Sequence, residues 1–282
     1  MGPWVGKHMW IWELELIEKG VINNIITKAV GLGLTGLLVK AWDGQQYWDQ
    51  LDRIAGAAKN AGLIVGAWGY SYGNNISGEV QCMEKALKGG ADWLIIDAEI
   101  EYENQNGEKK AASLSNGISS SSIIKNVKLG YSTFALPAYH VQFPYKGFSA
   151  FCDVAMPQVY WGAFGMPPEN ALKECVEQYS QFGIAVAPVG QSYEDIKAGE
   201  IDRFGKAASQ LGAPGISFWS WQHASDVMFN EIKSLQYSSA SPWASKSWNK
   251  VTLKGIMDGT DPQGILTREM LAVILDRLGL IK

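Results

Sequence analysis

The sequence contains few cysteines and histidines, which excludes several kinds of metal and redox site. Its 282 residues include three cysteines and three histidines. The cysteines form no C-x-x-C pair, so neither a disulfide framework nor a cysteine zinc site is predicted. No H-x-H motif lies on the first predicted strand, and we therefore expect no metal and no other cofactor.

The chain also lacks long apolar runs, a leader segment and an excess of positive charge. No apolar run approaches the ~20 residues of a membrane-spanning helix. The first twenty residues, MGPWVGKHMWIWELELIEKG, lack the charged, apolar and small-residue segments of a signal peptide, so we expect synthesis in the cytoplasm. The net charge of −4 favours neither nucleic acid nor an anionic membrane as a partner.

Apolar and aromatic residues are abundant instead. Hydrophobic residues make up 47% of the sequence, and twelve Trp and eleven Tyr are present. This composition indicates a protein with a substantial core. The aromatic residues have two interpretations. They either pack in that core or form a carbohydrate site, where apolar sugar faces stack on flat rings.

Eight β-like runs alternate with amphipathic segments along residues 5–235. The predicted strands are 5–12, 36–42, 63–70, 93–99, 127–133, 153–160, 184–190 and 215–221. The predicted helices are 18–31, 46–61, 77–89, 168–182, 198–211 and 224–235. This alternation predicts an α/β fold, the (β/α)8 TIM barrel. A doubly wound sheet is the alternative, but no G-x-G-x-x-G motif follows the first strand.

Two segments of the predicted barrel show no helix pattern. Residues 103–122, ENQNGEKKAASLSNGISSSS, read as a polar loop between the fourth and fifth strands. Residues 135–152 show no clear helical period between the fifth and sixth strands. The strand and helix alternation therefore deviates at these two places, with the polar loop of 103–122 expected before any helix.

A row of acids follows the fourth predicted strand, in the stretch ADWLIIDAEIEYE. Asp97, Glu99, Glu101 and Glu103 are spaced two apart, so they continue on one face of an extended chain. Active sites of (β/α)8 barrels lie at the carboxyl ends of the strands. We predict that Asp97 and Glu99 line a polar cleft there, whereas Glu101 and Glu103 belong to a solvated loop. The alternative is a solvated strand end for all four.

Other strand ends carry aromatic, amide or lysine side chains that suit a sugar cleft. Each of them could instead be structural. The predicted substrate-binding residues are Lys40, Trp42, Trp68, Tyr70, Tyr131, Gln158, Tyr160, Trp219 and Trp221.

Several stretches resemble glycoside hydrolase family 25 lysozymes, which cut bacterial peptidoglycan. They are GLLVKAWDGQQYWDQ, AKNAGLIVGAWGYSY and the D-x-E of LIIDAE, within about residues 36–161. Those lysozymes carry an Asp on strand one, where this sequence has none before Glu13. The D-x-E and the stretch ISFWSW also resemble family 18 chitinases, although WLII replaces their longer acidic signature. The resemblance implies a peptidoglycan glycosidase, with a chitinase-like hydrolase or an inactive wall-binding barrel as alternatives.

The tail resembles a different kind of module. SPWASKSWNKVTLKGIMDGTDPQGILTREMLAVILDRLGLI is similar to one surface-layer-homology-like repeat, a type of module that holds proteins to bacterial cell walls. Thr267 is expected to start a helix with an apolar stripe, and so small a module should pack on the barrel or on another copy of the chain. We expect a catalytic barrel over residues 1–236 and a small helical wall-binding module over 237–282. Together they suggest a phage endolysin that reaches the wall after release.

The two predicted catalytic carboxylates are too close along one strand for attack from opposite sides of a sugar. Their Cα atoms should lie ~6.5–7 Å apart. Substrate assistance fits better: a 2-acetamido group attacks, Asp97 stabilises it, and Glu99 is the general acid. Tyr160 and Gln158 would bind the acetamido group, and Trp219 would form the floor beneath the sugar.

Overall fold

The computed structural model describes residues 2–194, 196–237 and 265–281, with positions 244, 247, 248, 251, 254, 256 and 257. Within these residues, ten strands form one sheet. They are β1 Gly6–Ile11, β2 Gly36–Asp43, β3 Gln46–Tyr47, β4 Ile64–Tyr70, β5 Trp93–Asp97, β6 Leu129–Phe134, β7 Val154–Val159, β8 Ala185–Val186, β9 Val189–Gln191 and β10 Gly215–Trp219.

Eight of the strands close into a barrel. Their order is β1-β10-β9-β7-β6-β5-β4-β2, and β2 pairs again with β1. Every pairing between these eight strands is parallel. The two-residue strands β3 and β8 add to β2 and β7 without entering the ring. The predicted (β/α)8 barrel is therefore confirmed.

Helices surround the barrel and connect its strands. They are α1 Ile22–Gly31, α2 Gln50–Asn60, α3 Ile76–Lys88, α4 Gly107–Ser120, α5 Tyr145–Phe151, α6 Trp161–Phe164, α7 Pro168–Tyr179, α8 Glu200–Gln210 and α9 Asp226–Ser234. Among the described residues of the tail is a further helix, α10 Arg268–Arg277. None of the described helices is long and apolar enough to cross a membrane.

Both segments that deviate from the predicted alternation contain helices. In 103–122, α4 buries Gly107, Ala111, Leu114 and Ile118, which recur every three or four residues on one face. This stripe is narrow, and serine and lysine around it hide the period in the sequence. In 135–152, the seven-residue α5 is too short to show a period at all. The prediction of a polar loop over 103–122 is wrong for that reason.

The core has two layers, because strand side chains alternate between the inside and the outside of the barrel. Inside lies a small cluster rich in tryptophan, formed by Trp10, Leu38, Trp68, Trp93, Ile95, Val154, Met156, Ala187 and Val189. A larger cluster lies between the strands and the helices. The side on which a strand residue points therefore decides whether it can reach the barrel mouth.

The amino-terminal end of the barrel is closed by packing. Trp4 lies against Trp93, with ring centroids 5.9 Å apart. Beside it, buried Lys7 donates hydrogen bonds to the carbonyls of Leu32, Ile232 and Leu235, which end two neighbouring helical segments. The carboxyl ends of the strands are thus the end of the barrel at which a site can form.

The tail is described in part. The predicted start of its helix is confirmed, because the Thr267 side chain accepts a hydrogen bond from the Met270 backbone at 3.1 Å. Met270, Leu271 and Leu278 of the predicted apolar stripe are exposed. The remainder of the repeat-like sequence, including most of 238–264, lies outside the described residues.

Candidate functional site

The barrel mouth collects side chains that point inward from the strand ends. Tyr70, Asp97 and Ser132 are neighbours in register on β4, β5 and β6, so all three point to the same side of the sheet. Gln158 reaches this group from β7. Of the predicted site residues, the structure places eight around the mouth: Lys40, Trp68, Tyr70, Asp97, Glu99, Gln158, Tyr160 and Trp219.

One amide joins the two central carboxylates. Gln158 Nε2 donates to Glu99 Oε1 at 2.8 Å and to Asp97 Oδ1 at 3.2 Å. It also lies 3.4 Å from Ser132 Oγ, but its two hydrogens are accounted for by the two shorter contacts. Both carboxylates are therefore held on one wall of the mouth, facing the same donor.

The environment of this pair favours retention of a proton. Asp97 is 7% exposed, and burial raises its pKa well above the usual range, with the Glu99 charge raising it further. The pKa of Glu99 is also raised by burial, which outweighs the opposing hydrogen bond from Gln158. Two carboxylates in such a site hold a proton at a pH where isolated ones have lost it. The pair can thus supply an acid and an anion together.

Four tryptophans form an apolar cluster inside the barrel and at its mouth. Trp219 lies at its centre, with ring centroids 5.3 Å from Trp68, 5.8 Å from Trp10 and 6.2 Å from Trp12. The indole N–H groups of Trp10 and Trp68 donate to Ser217 Oγ and to the Ile11 carbonyl, which fixes both rings. Trp219 is half-buried and Trp12 is exposed, so these two present ring surface to a ligand.

Two tyrosines border the carboxylates. Tyr160 is half-buried, and burial followed by the Asp97 charge raises the pKa of its hydroxyl well above the usual range, so the hydroxyl stays a hydrogen-bond donor. Tyr70 donates to Glu101 Oε2 at 2.6 Å. Both hydroxyls are placed to bind or organise polar groups next to Asp97 and Glu99.

The outer acids of the row have partners of their own. Glu101 accepts from Tyr70, and Glu103 Oε2 lies 2.9 Å from His140 Nδ1. Both were expected in a solvated loop, yet both are half-buried. Lys110 Nζ donates to the carbonyls of Tyr72 and Glu101 and so joins the loops after β4 and β5. We interpret the outer acids as groups that order these loops.

Trp42 does not reach the mouth, contrary to the prediction. The pairing of β2 with β4 shifts between Lys40 and Trp42, so that Trp42 lies opposite Gly69. Such a bulge reverses the inward and outward alternation of side chains along the strand. Trp42 therefore points outward, into the layer between the strands and the helices. A Cβ at Gly69 would overlap the Trp42 ring, so only glycine leaves room for it. Asp43 takes the inward position, opposite Tyr70.

Tyr131 and Trp221 also lie away from the mouth. Tyr131 alternates with the inward Ser132 and points outward, where it stacks on Phe148 and bonds Ser149 Oγ at 2.9 Å. Trp221 follows β10 and packs against Phe229 outside the barrel. Sequence reasoning missed Ser132. Alternate residues of a strand point to the same side, and Ser132 lies on the side of β6 that Asp97 occupies on β5, so the strand period was the signal for it.

Metal ligands do not cluster in the described part of the chain. Within residues 2–194, 196–237 and 265–281, no group of three His, Cys, Asp or Glu side chains is placed to hold a metal ion. The mouth itself carries carboxylates, an amide, tyrosines and a lysine.

The barrel is similar to several solved structures. No protein-family model matches the sequence, and no curated protein matches it. A chitinase from Chromobacterium violaceum has 10% identity and a TM-score of 0.61, over 81% of this chain and 98% of that one. An endo-β-1,4-mannanase from Thermotoga petrophila has 10% identity and a TM-score of 0.62, over 93% and 79%. A family 18 N-acetylglucosaminidase from Paenibacillus barengoltzii has 8% identity and a TM-score of 0.59, over 82% and 100%. At these identities the likeness shows the fold.

Proposed function

We propose that the chain is a glycoside hydrolase acting on polymers of 2-acetamido sugars. The observation that carries the proposal is the pair Asp97 and Glu99, joined by Gln158, in a barrel whose inner cluster also holds the tryptophans around Trp219. Glycosidases need one protonated and one ionised group at the scissile bond, and sugar rings stack on aromatic faces. The similar chitinase and N-acetylglucosaminidase barrels agree with this proposal.

The geometry favours assistance by the substrate. A carboxylate nucleophile must lie on the opposite side of the sugar from the acid, whereas Asp97 and Glu99 contact the same amide on one wall. In the proposed first step, the acetamido oxygen forms a bond to C1, the glycosidic bond breaks, and Glu99 protonates the departing oxygen. Asp97 stabilises the positive charge that develops on the acetamido group, while the side-chain carbonyl oxygen of Gln158 and the hydroxyl of Tyr160 hold this group in place.

In the second step, Glu99 acts as a base instead of an acid. Glu99, now ionised, takes a proton from water as the water oxygen bonds to C1, and the acetamido group is released. The configuration at C1 is inverted twice and therefore retained. A 2-hydroxy sugar offers no such internal nucleophile, which makes the acetamido group the determinant of substrate class.

Peptidoglycan is the polymer that we propose, and endolysin activity the role. The support is the likeness of the tail to wall-binding repeats and of residues 36–161 to peptidoglycan-cutting lysozymes. Mass spectrometry of purified peptidoglycan after digestion tests this, because the new reducing sugar identifies the cut bond. Cleavage of chitin oligosaccharides alone would make the enzyme chitinase-like instead.

An inactive wall-binding barrel is the second candidate, because Trp10 near the end of β1 and Trp12 just after it stand where the family 25 pattern has an Asp. It predicts sedimentation with cell walls but no new reducing ends on any 2-acetamido substrate. Turnover by the native chain at catalytic concentration would exclude it.

Deletion of residues 241–282 is expected to separate binding from catalysis. Tyr237 packs on the barrel core and its hydroxyl donates to the Ala213 carbonyl at 2.5 Å, so a chain ending at 240 keeps this anchor. We expect the truncated chain to hydrolyse soluble fragments like the full one but to sediment poorly with cell walls. Equal sedimentation of both chains would show that the tail serves packing or oligomerisation.

A further inference from the structure

A second group of aromatic and charged side chains lies at the mouth, and the proposed mechanism uses none of it. The group comes from the ends of β1, β2 and β4 and from the residue after β3. We call it the Asp43 cluster, and it consists of Trp12, Lys40, Asp43, Trp48 and Tyr72. Trp12 is 37% exposed, and Asp43, Trp48 and Tyr72 are half-buried. The cluster therefore presents ring surface and a carboxylate to a ligand in the mouth.

The carboxylate of Asp43 is held in one orientation. Its Oδ2 accepts from Lys40 Nζ at 2.7 Å, and its Oδ1 accepts from the Tyr72 hydroxyl at 2.9 Å. Lys40 is itself confined, because its side chain is 6% exposed and Nζ lies 4.5 Å from the centroid of Trp48 and 5.6 Å from that of Trp12. Each carboxylate oxygen can accept about two hydrogen bonds. Asp43, with 30% of its side chain exposed, can thus still accept from a ligand hydroxyl.

The ring of Trp12 stands on a fixed backbone, because glutamine side chains hold both of its peptide groups. The side-chain oxygen of Gln222 accepts from the Trp12 amide at 3.3 Å, and Gln50 Nε2 donates to the Trp12 carbonyl at 2.6 Å. Gln50 Nε2 also donates to the Lys40 carbonyl at 2.9 Å, which ties the loop after β1 to β2. A ligand therefore meets a platform that is already ordered, and stacking on it loses little conformational entropy.

The strand order places the Asp43 cluster beside the path of a glycan through the mouth. In the ring of eight strands, β10 is four places from β5 in both directions, so Trp219 lies across the mouth from Asp97. The strands between them on one side are β1, β2 and β4, which carry the cluster. Trp12 lies 6.2 Å from Trp219 and Tyr72 lies 5.0 Å from Tyr70, measured between ring centroids. A sugar chain held between Asp97 and Trp219 thus meets the cluster where it leaves the centre on the β2 side.

We propose that the Asp43 cluster is a second sugar subsite, which binds an uncharged pyranose ring of the same glycan outside the cleavage point. The ring stacks on Trp12, and a sugar hydroxyl donates to Asp43. The sugar is uncharged because the cation of the cluster, Lys40, already has Asp43 as its ion-pair partner, so an acidic sugar would meet a carboxylate instead of a free cation. This inference rests on the proposed function, because the occupant is a further unit of the substrate proposed for Asp97 and Glu99.

Loss of the Trp12 ring should lower activity on long substrates only. An aryl glycoside of N-acetylglucosamine places a single sugar at the cleavage point, whereas a six-unit oligomer of β-1,4-linked N-acetylglucosamine extends beyond it. Trp12→Ala should lower kcat/KM for the oligomer about three- to tenfold, mainly through KM, because a stacking surface is lost. The aryl glycoside should react at the native rate. Trp12→Phe keeps an aromatic ring and should recover most of the loss.

Asp43→Asn should show the same dependence on substrate length. It replaces the charged acceptor by a neutral amide, so kcat/KM for the oligomer should fall about tenfold while the aryl glycoside is unaffected. Leu16→Ala, an exposed apolar side chain in the segment after β1, and Asp202→Asn on α8 are the matched controls and should change neither rate. Equal losses on both substrates would assign these residues to the chemistry or to folding and overturn the proposal. An unchanged oligomer rate in Trp12→Ala or in Asp43→Asn would also overturn it.

A binding measurement separates this inference from the enzyme proposal. The full chain carrying Glu99→Gln is labelled with fluorotryptophan, and the Trp12 and Trp219 resonances are identified by their absence after Trp12→Phe and Trp219→Phe. The six-unit oligomer should shift both resonances. A shift at Trp219 without one at Trp12 would overturn the inference and leave the proposed function standing. A shift at Trp12, with no hydrolysis by the native chain, would reject the proposed function alone, and no shift at either tryptophan would reject both.

Discussion

Glu99→Gln is expected to lower turnover ~10²–10⁴-fold while leaving glycan binding largely intact. Glutamine keeps the size of the side chain and an oxygen that can accept from Gln158, as Glu99 Oε1 does at 2.8 Å. It cannot protonate the departing glycosidic oxygen, so the loss should fall on kcat rather than on KM. Initial rates over a range of oligosaccharide concentrations separate the two parameters.

Glu101→Gln and Glu103→Gln are the matched controls for this substitution. They make the same chemical change in the same acidic row, at positions paired with Tyr70 and His140. We expect mild effects from both. Near-normal hydrolysis by a folded Glu99→Gln variant would show that the acid lies elsewhere, with Glu13 and Asp43 as the next candidates.

Asp97→Asn is expected to be almost inactive and yet more stable than the native protein at neutral pH. Activity is lost because the developing positive charge on the acetamido group loses its counter-charge. Stability rises because burial penalises the Asp97 anion, which raises its pKa well above 3.8. The free energy of unfolding at pH 7 is therefore expected to be higher in Asp97→Asn than in the native protein.

The pH dependence of this gain follows from the direction of the shift. The folded protein binds the Asp97 proton more tightly than the unfolded chain does, so the native protein loses stability as pH rises from about 3.8 to the raised pKa. Asparagine does not titrate. The extra stability of Asp97→Asn over the native protein should therefore vanish below this pH range and be greatest above it.

Urea unfolding at several pH values measures this advantage. Asp202→Asn, an exposed aspartate paired with Lys206 on α8, is the control and should change the free energy of unfolding by less than ~0.5 kcal/mol. A variant less stable than the native protein at pH 7 would contradict our account of Asp97. It would mean that the hydrogen bonds and the attraction of Lys40 outweigh the cost of burial.

The sequence was sufficient to predict the barrel and several of the side chains that meet at its mouth. Strand and helix alternation predicted the closed ring, and the D-x-E motif predicted carboxylates at the end of β5. Lys40, just before the bulge of β2, and Trp219, the last residue of β10, were found because each lies on the inward side of its strand. In these cases the two-residue period of a strand carries the information directly.

The failures have local causes that a single sequence does not reveal. The bulge between Lys40 and Trp42 depends on pairing with a strand more than twenty residues away, and it exchanges Trp42 for Asp43 at the mouth. Tyr131 was chosen for its residue type, although the strand register places Ser132 on the side of Asp97. Helix α4 buries a narrow stripe that its polar composition conceals.

The central claim is hydrolysis assisted by the 2-acetamido group, and the configuration of the first product tests it most directly. Proton NMR of an N-acetylglucosamine oligosaccharide, recorded during digestion by the native chain, distinguishes the β anomer from the α anomer before they equilibrate. The account predicts that the new reducing end appears first as the β anomer, and that the matching oligosaccharide of glucose, with 2-hydroxyl groups, is not cut. The α anomer appearing first, or equal cleavage of the glucose oligosaccharide, would contradict it.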